Sequence, residues 1–263
     1  MPSLRRVVVA LAIVLVIGVF VTQWILPVRM SFQAARKPPT LSWLVPRELP
    51  DLSISTAPGT KLSYFGYEFE VPWTDLDDTQ TRSYPHMVLL TFHSGLKLMA
   101  GASPGKLWLN GLFGNSEITQ ARVEQTFGIH SDYDFLKTLY TFTPDKIHVW
   151  SLSPRLHYRE TYMLELKSVA LSREAETGLF YVSNPMYKGF QVGDPQAWLS
   201  DYRPKSKSTI FLQLFSDRED VSLTLLQNDF KNPAGISQAD INRIVQTIHK
   251  LPGDIARTNT SSP

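Results

Sequence analysis

No cysteine occurs in the chain. That removes disulfides, thiolate nucleophiles, iron–sulfur clusters and cysteine-based zinc sites together. An excess of basic charge is also missing where it would matter. The whole chain carries +2, but Arg5, Arg6, Arg29, Arg36, Lys37 and Arg47 flank one apolar stretch near the start. Between Gly59 and Gly253, 19 Lys+Arg stand against 21 Asp+Glu, a net of −2. Such a body lacks the cationic footprint that neutralises phosphates, so no nucleic-acid partner is expected. Several catalytic signatures are absent: the zinc pattern H-E-x-x-H, the phosphate loop G-x-x-x-x-G-K-[ST] and the dinucleotide pattern G-x-G-x-x-G. No cofactor is expected. What is present is globular in character, with 43% hydrophobic and 19% charged residues.

The apolar stretch runs from Val7 to Leu26, with Thr22 and Gln23 as its polar members and Trp24 near one end. At about 1.5 Å per residue it spans roughly 30 Å, the thickness of a hydrocarbon core. The competing reading is a cleaved signal peptide. The run exceeds the usual signal-peptide core, and no clean small-x-small cleavage site follows it, so an uncleaved single-pass signal anchor is favoured. Basic residues on both sides leave the positive-inside count nearly balanced. A cytoplasmic N-terminus with an extracytoplasmic body is the preferred orientation. Residues 27–58 hold Pro38, Pro39, Pro46, Pro50 and Pro58 and read as a semi-rigid spacer. Within it, Trp43, Leu44 and Val45 have the alternative of packing on the body or lying at the membrane interface. The expected layout is a short tail (1–6), an anchor (7–26), a stalk (27–58), a globular domain (59–253) and a disordered tail (254–263).

The body alternates between strand and helix signals. Leu62 to Trp73 reads as one half-buried strand, with Tyr67, Phe69 and Val71 on one face and Glu68 and Glu70 on the other. Met87–Phe92 and Leu96–Ala100 flank His93-Ser94-Gly95, a hairpin connector. Helices are expected from Ser116 to about Phe127, and from Ser131 to a stop at Pro144. Ser131-Asp132-Tyr133-Asp134 is an Asp variant of the capping box. A third helix is expected from about Arg159 to Ala175, with Tyr162, Leu166, Val169 and Ala170 as its apolar stripe and Gly178 as its stop. Leu179–Ser183 and Lys188–Val192 flank the turn Asn184-Pro185. Thr209–Phe215 and Val221–Leu226 form another hairpin. A last helix follows the capping box Ser237–Asp240, presents Ile241, Ile244, Val245 and Ile248 to the core, and is closed by Pro252. The order predicts an α+β fold, an antiparallel sheet with helices packed on one face, preceded by the transmembrane helix. A faint cadence shared by Phe65–Val71 and Tyr187–Val192 hints at an internal duplication.

Candidate chemistry is sparse. Asp75, Asp77 and Asp78 offer alternating carboxylates for calcium, but the EF-hand positions that need Gly and Glu hold Gln80 and His86; a solvated acidic loop is favoured. His130 with Asp132 and Asp134 could ligate a metal, yet helix capping accounts for the acids. His93-Ser94 sits at a hairpin tip, an ordinary turn, and no nucleophile elbow of the form G-x-S-x-G is expected in the chain. His86, His148, His157 and His249 are scattered singly. Glu68 and Glu70 share a strand face at glycosidase-like spacing, and equally describe its wet side. Lys205 and Lys207 fit a solvated turn, and Asn259-Thr260-Ser261 spells a glycosylation acceptor in the tail. The expected function is a membrane-anchored, extracytoplasmic, non-catalytic binding or assembly module that takes a protein or another ligand, left open by the sequence, at the cell envelope. The alternative is an envelope hydrolase whose site is assembled from His93, His130 and the Asp75–Asp78 loop.

Overall fold

Local sequence chemistry explains most of the secondary structure. The computed structural model describes residues 4–21, 25, 41–104, 128–147, 154–195, 208–216, 219–227 and 236–252. The fold is α+β with antiparallel sheets. The chain divides into two compact units, Met1–Val45 with Thr138–Arg173, and Pro46–Lys137 with Glu174–Pro263.

The second unit holds two sheets where the sequence pointed to one. The larger has seven strands: β3 (Arg82–Tyr84), β4 (Met87–Thr91), β5 (Leu96–Pro104), β6 (Leu179–Ser183), β7 (Lys188–Val192), β8 (Ser208–Phe215) and β9 (Glu219–Gln227). They lie in the order β3-β4-β5-β9-β8-β7-β6. Every pairing in it is antiparallel. The smaller sheet joins β1 (Thr60–Tyr64), β2 (Tyr67–Val71) and β10 (His249–Lys250). The single strand expected over Leu62–Trp73 is thus a hairpin. Phe65 (φ 54°) and Gly66 (φ 80°) both take the left-handed region. This is the backbone demanded by a tight two-residue turn between twisted strands. Phenylalanine there costs on the order of 1 kcal/mol, which is why Phe-Gly did not read as a turn. The alternation within β2 is as expected: Tyr67, Phe69 and Val71 are buried.

Other elements follow their signals. The β4–β5 turn closes with Gly95 (φ 85°), its N–H donating to the Phe92 carbonyl at 2.9 Å. Residues Asn184 to Tyr187 form the β6–β7 turn, where Asn184 Oδ1 accepts the N–H groups of Met186 and Tyr187 at 2.8 and 2.7 Å. Helix α4 (Gln238–Thr247) has its full capping box, Ser237 and Asp240 satisfying each other's backbone N–H. Ile241, Ile244, Val245 and Ile248 are buried, each contributing about 1.5–3 kcal/mol of apolar burial. Pro252 does not close this helix. The chain leaves it at Thr247 and pairs His249 and Lys250 with Glu68 and Tyr67 of β2, a partner too distant in sequence to foresee. The cadence linking β2 to β7 is not a structural repeat. Gly66 occupies a turn, whereas Gly189 lies in a strand opposite Leu214, where an added Cβ would sit 1.8 Å from the Gln213 carbonyl oxygen.

The other unit is helical. Helix α1 spans Leu4–Phe20, and its described side chains are exposed. Among the described residues no helix is long and apolar enough to cross a membrane; residues 22–24 and 26 of the expected anchor lie outside them. Helix α2 (Asp132–Thr141), whose residues up to Lys137 belong to the sheet unit, starts as expected, Ser131 Oγ accepting the Asp134 N–H at 3.1 Å, and buries Phe135, Leu136, Leu139 and Tyr140. Helix α3 (Pro154–Ala170) begins and ends earlier than expected. Of the expected stripe Leu166 is buried, but Glu160, Met163, Leu164 and Lys167 are interior too, and Val169 is 75% exposed. The stripe differs in part because two interior members, Glu160 and Lys167, are ionisable residues that an apolar periodicity does not register. The helix expected at Ser116–Phe127, His148, Lys205, Lys207 and the tail from Gly253 lie outside the described residues.

From residue 41 the segment expected to be a stalk is held by other parts of the chain. Leu41–Trp43 forms a 3₁₀ turn. Arg47 makes a parallel bridge to Phe180 at the edge of β6, and its guanidinium lies 5.5 Å from that ring's centre. Asn242 Nδ2 donates to the carbonyls of Asp51 and Ser53 at 2.9 and 2.8 Å. Arg243 donates to the Ser55 and Ala57 carbonyls.

Candidate functional site

In the sheet unit, the start of α2, the Asn184–Tyr187 turn and the end of the β8–β9 hairpin surround a groove of about 620 Å³. The Tyr133 ring stacks on Phe190, with centroids 5.5 Å apart and planes 20° apart. Lys137 Nζ lies 5.8 Å from the Tyr133 ring centre. Met186, 52% exposed, and Lys188 add an apolar and a cationic wall. Glu219 sits at the junction of the two sheets. It accepts from the buried Tyr67 hydroxyl of β2 and from the Lys250 ammonium of β10. Burial, then the Glu219 hydrogen bond and charge, raise the Tyr67 phenol far above its usual range. Tyr187, whose ring centroid lies 6.4 Å from that of Tyr67, is raised by burial and by the same carboxylate. Both phenols are therefore hydrogen-bonding groups at neutral pH, not bases. The groove offers stacked aromatic surface, lysines and turn polar groups, and its central carboxylate already serves two partners.

The residues singled out from sequence lie in a second recess of about 400 Å³, lined by Asp77, Gln80, Thr91, His93 and Lys97 among others. Asp77 is buried. Its Oδ1 accepts the Thr79 N–H at 3.0 Å and the Thr79 hydroxyl at 2.5 Å, and its Oδ2 accepts from Gln80 at 2.9 Å. The Thr79 hydroxyl above all holds the carboxyl below its usual range. Asp75 Oδ2 accepts the Ser94 N–H at 2.7 Å, and its carbonyl accepts the His93 N–H at 2.9 Å. The acidic loop is therefore tied to the β4–β5 turn. Asp78 is exposed. His93 Nδ1 stands 3.8 Å from Asp77 Oδ2, beyond hydrogen-bond reach, with its side chain 70% exposed. His130 is exposed just before α2, where Asp132 and Asp134 lie in the first turn. His86 is exposed. Among the described residues no group of three or more His, Asp or Glu is arranged to hold a metal ion.

Glu68 and Glu70 are engaged in ion pairs. Glu70 binds Arg243 at 3.0 Å and lies 3.8 Å from Lys61. Glu68 lies 3.6 Å from Lys61 and 3.7 Å from His249. The expected absence of a nucleophile-elbow pattern does not hold. Gly101-Ala102-Ser103-Pro104-Gly105 spells G-x-S-x-G, yet Gly101 to Pro104 continue β5 and pair residue by residue with β9. A nucleophile elbow places its serine on a sharp strand-to-helix turn, whereas Ser103 is paired with Asp220 near the end of β5; Gly105 lies outside the described residues.

Sequence inspection missed Lys167. It is fully buried on α3, and its ammonium donates to the carbonyls of Ser42, Leu44 and Phe142 at 3.2, 2.6 and 2.7 Å. Three donors meet three acceptors. Burial first, and the nearby Lys146 charge second, lower its pKa to about 8. The one available signal was a lysine four residues after Met163 and three after Leu164, in step with a buried helical stripe.

No protein-family model matches the chain, and no curated protein is significantly similar to it.

Proposed function

We propose that the chain is a single-pass, membrane-anchored module whose extracytoplasmic body binds or assembles with a protein partner. The observation that carries this reading is the groove beside Tyr133. Stacked aromatic surface, an exposed Met186 and flanking lysines make a binding surface, because such groups supply contact area and orienting charge. Its Glu219 is committed to Tyr67 and Lys250, so the group best placed for acid–base chemistry instead joins two sheets. The apolar run Val7–Leu26 supports the anchor. Site-specific photo-crosslinking from position 186 in native membranes tests the binding role. One discrete adduct, lost when Lys188→Glu and Tyr133→Ala are combined, is expected. An adduct pattern indifferent to both changes would count against the groove.

A second reading, an envelope hydrolase, is favoured by the approach of His93 to Asp77 in the smaller recess. A rotation of the exposed imidazole would close the 3.8 Å gap. Its test is a hydrolase substrate panel run on the wild type and on His93→Ala. Activity abolished by that change, with the fold intact, would raise this reading above the first.

A further inference from the structure

Lys167 stands at an unusual place for a charge. A fully buried ammonium is expensive to desolvate even when hydrogen-bonded. All three of its acceptors are main-chain carbonyls, two of them in the segment 41–45. What the charge fixes is therefore a backbone. The Leu44 N–H closes the turn by donating to the Leu41 carbonyl at 3.3 Å. Pinning this short segment sorts its side chains: Leu41 and Ser42 are buried, while Trp43 is 51% and Val45 42% exposed. Isolated exposed apolar residues are ordinary. A tryptophan and a valine exposed two residues apart on a backbone held by a buried charge form a more deliberate arrangement.

We infer that Trp43 and Val45, positioned by Lys167, form a foot that seats in the headgroup layer of a phospholipid bilayer. The inference rests on the anchor reading for its membrane. Three observations select lipid as the occupant. Trp43 follows Leu26 by seventeen residues, so even fully extended chain keeps it within roughly 60 Å of the anchor's end. Arg29, Arg36 and Lys37 lie in that connection, and basic side chains are attracted to an anionic lipid surface. An indole with apolar rings and one N–H donor prefers the membrane interface. Lys167 is a positioning residue here; the groups that touch lipid are Trp43 and Val45.

The absence of cysteine gives a direct test on the full chain. Nitroxide labels placed singly at Val45→Cys, at Val14→Cys in the apolar run and at Leu52→Cys, 77% exposed, are compared after reconstitution. The vesicles contain phosphatidylcholine and phosphatidylglycerol. Power-saturation spectroscopy reads the ratio of oxygen to nickel-chelate collisions. The expected result is a several-fold higher ratio at position 45 than at 52. Adding Trp43→Ser should bring position 45 down to the value at 52, and Trp43→Phe should retain part of the difference. Lys167→Met should lower the ratio and increase label mobility at position 45, with helix content checked by circular dichroism. An aqueous ratio at 45 with a lipid ratio at 14 overturns the foot and leaves the anchor standing. Aqueous ratios at both positions, with the chain failing to float with vesicles, overturn both. A lipid ratio at 45 that survives Trp43→Ser overturns the role given to the tryptophan and with it the proposal.

Discussion

Lys167 and the amide chain Gln191–Gln238–Asn242 both place polar atoms in the interior, one in each compact unit. In the sheet unit the groups are neutral. Gln191 and Gln238 donate to each other's side-chain oxygens at 2.8 and 2.9 Å. Gln191 also donates to the Gly193 carbonyl at 3.1 Å, and Gln238 to Asn242 at 3.0 Å. Asn242 then holds the Asp51–Ser53 backbone. In the helical unit a single cation holds the Ser42–Leu44 backbone instead. Both devices fasten the segment after residue 40 with side chains distant in sequence. Only the cationic one carries a dependence on pH, because an amide has no proton to lose.

The comparison breaks most visibly on deletion of the cation. Lys167→Met strands three carbonyls, and an unsatisfied buried acceptor costs about 1–3 kcal/mol. Relief of the ammonium's desolvation offsets part of that. A net loss of about 2–4 kcal/mol is expected, read by chemical denaturation in detergent, with faster amide exchange across residues 41–45. No change in either would mean that the Lys167 ammonium is not holding the segment.

Next in size is the pH response. Lys167 has a folded-state pKa near 8, below the usual 10.5. Between those values the unfolded chain binds the extra proton, so stability rises with pH. The full effect is on the order of 3 kcal/mol, reached only in part because tyrosines intervene. Tyr64, Tyr67, Tyr133, Tyr181 and Tyr187 are all raised chiefly by burial. Their contribution is present below pH 10 and lost above it. Stability should therefore climb from about pH 8 and turn over near pH 10, and Lys167→Met should flatten the climb. A wild-type profile that already falls between pH 8 and 9.5 would contradict this assignment.

The amide chain should respond differently. Gln238→Leu leaves Gln191 and Asn242 partly unpaired and should cost about 2 kcal/mol at every pH. Gln191→Leu with Gln238→Leu should cost less than the two single changes summed, by about 0.5–2 kcal/mol, since contacting pairs couple. Strict additivity would show that the reciprocal amide contact contributes nothing. The smallest expected effect supplies the exposed reference. Ser237→Ala removes the cap of α4 and should cost about 1 kcal/mol, without pH dependence from pH 6 to 9.

Legibility from sequence followed the range of each cause. The cap and stripe of α4, the Asn184–Pro185 turn and the His93–Gly95 connector were readable because their causes lie within a few residues. The β1–β2 turn was missed because Phe65 adopts a backbone that its side chain disfavours. The stripe of α3 was met at Leu166 but misplaced elsewhere, because Lys167 and Glu160 face inward. At the candidate sites, Asp77 and His93 were named, but their hydrogen-bond assignments were not. The Tyr133 groove and the Glu219 junction went unnoticed, since they join residues from turns more than fifty positions apart.

By itself the sequence determined the apolar N-terminal run, the α+β class, the main hairpins and the capped last helix, because periodicity and turn chemistry act locally. Only the tertiary structure decided that β10 joins β2, that residues 41–57 are fastened to distant side chains, and that Glu219 links two sheets. Those outcomes depend on which long-range partners close, and on burial that reverses the ordinary preference of a lysine for water.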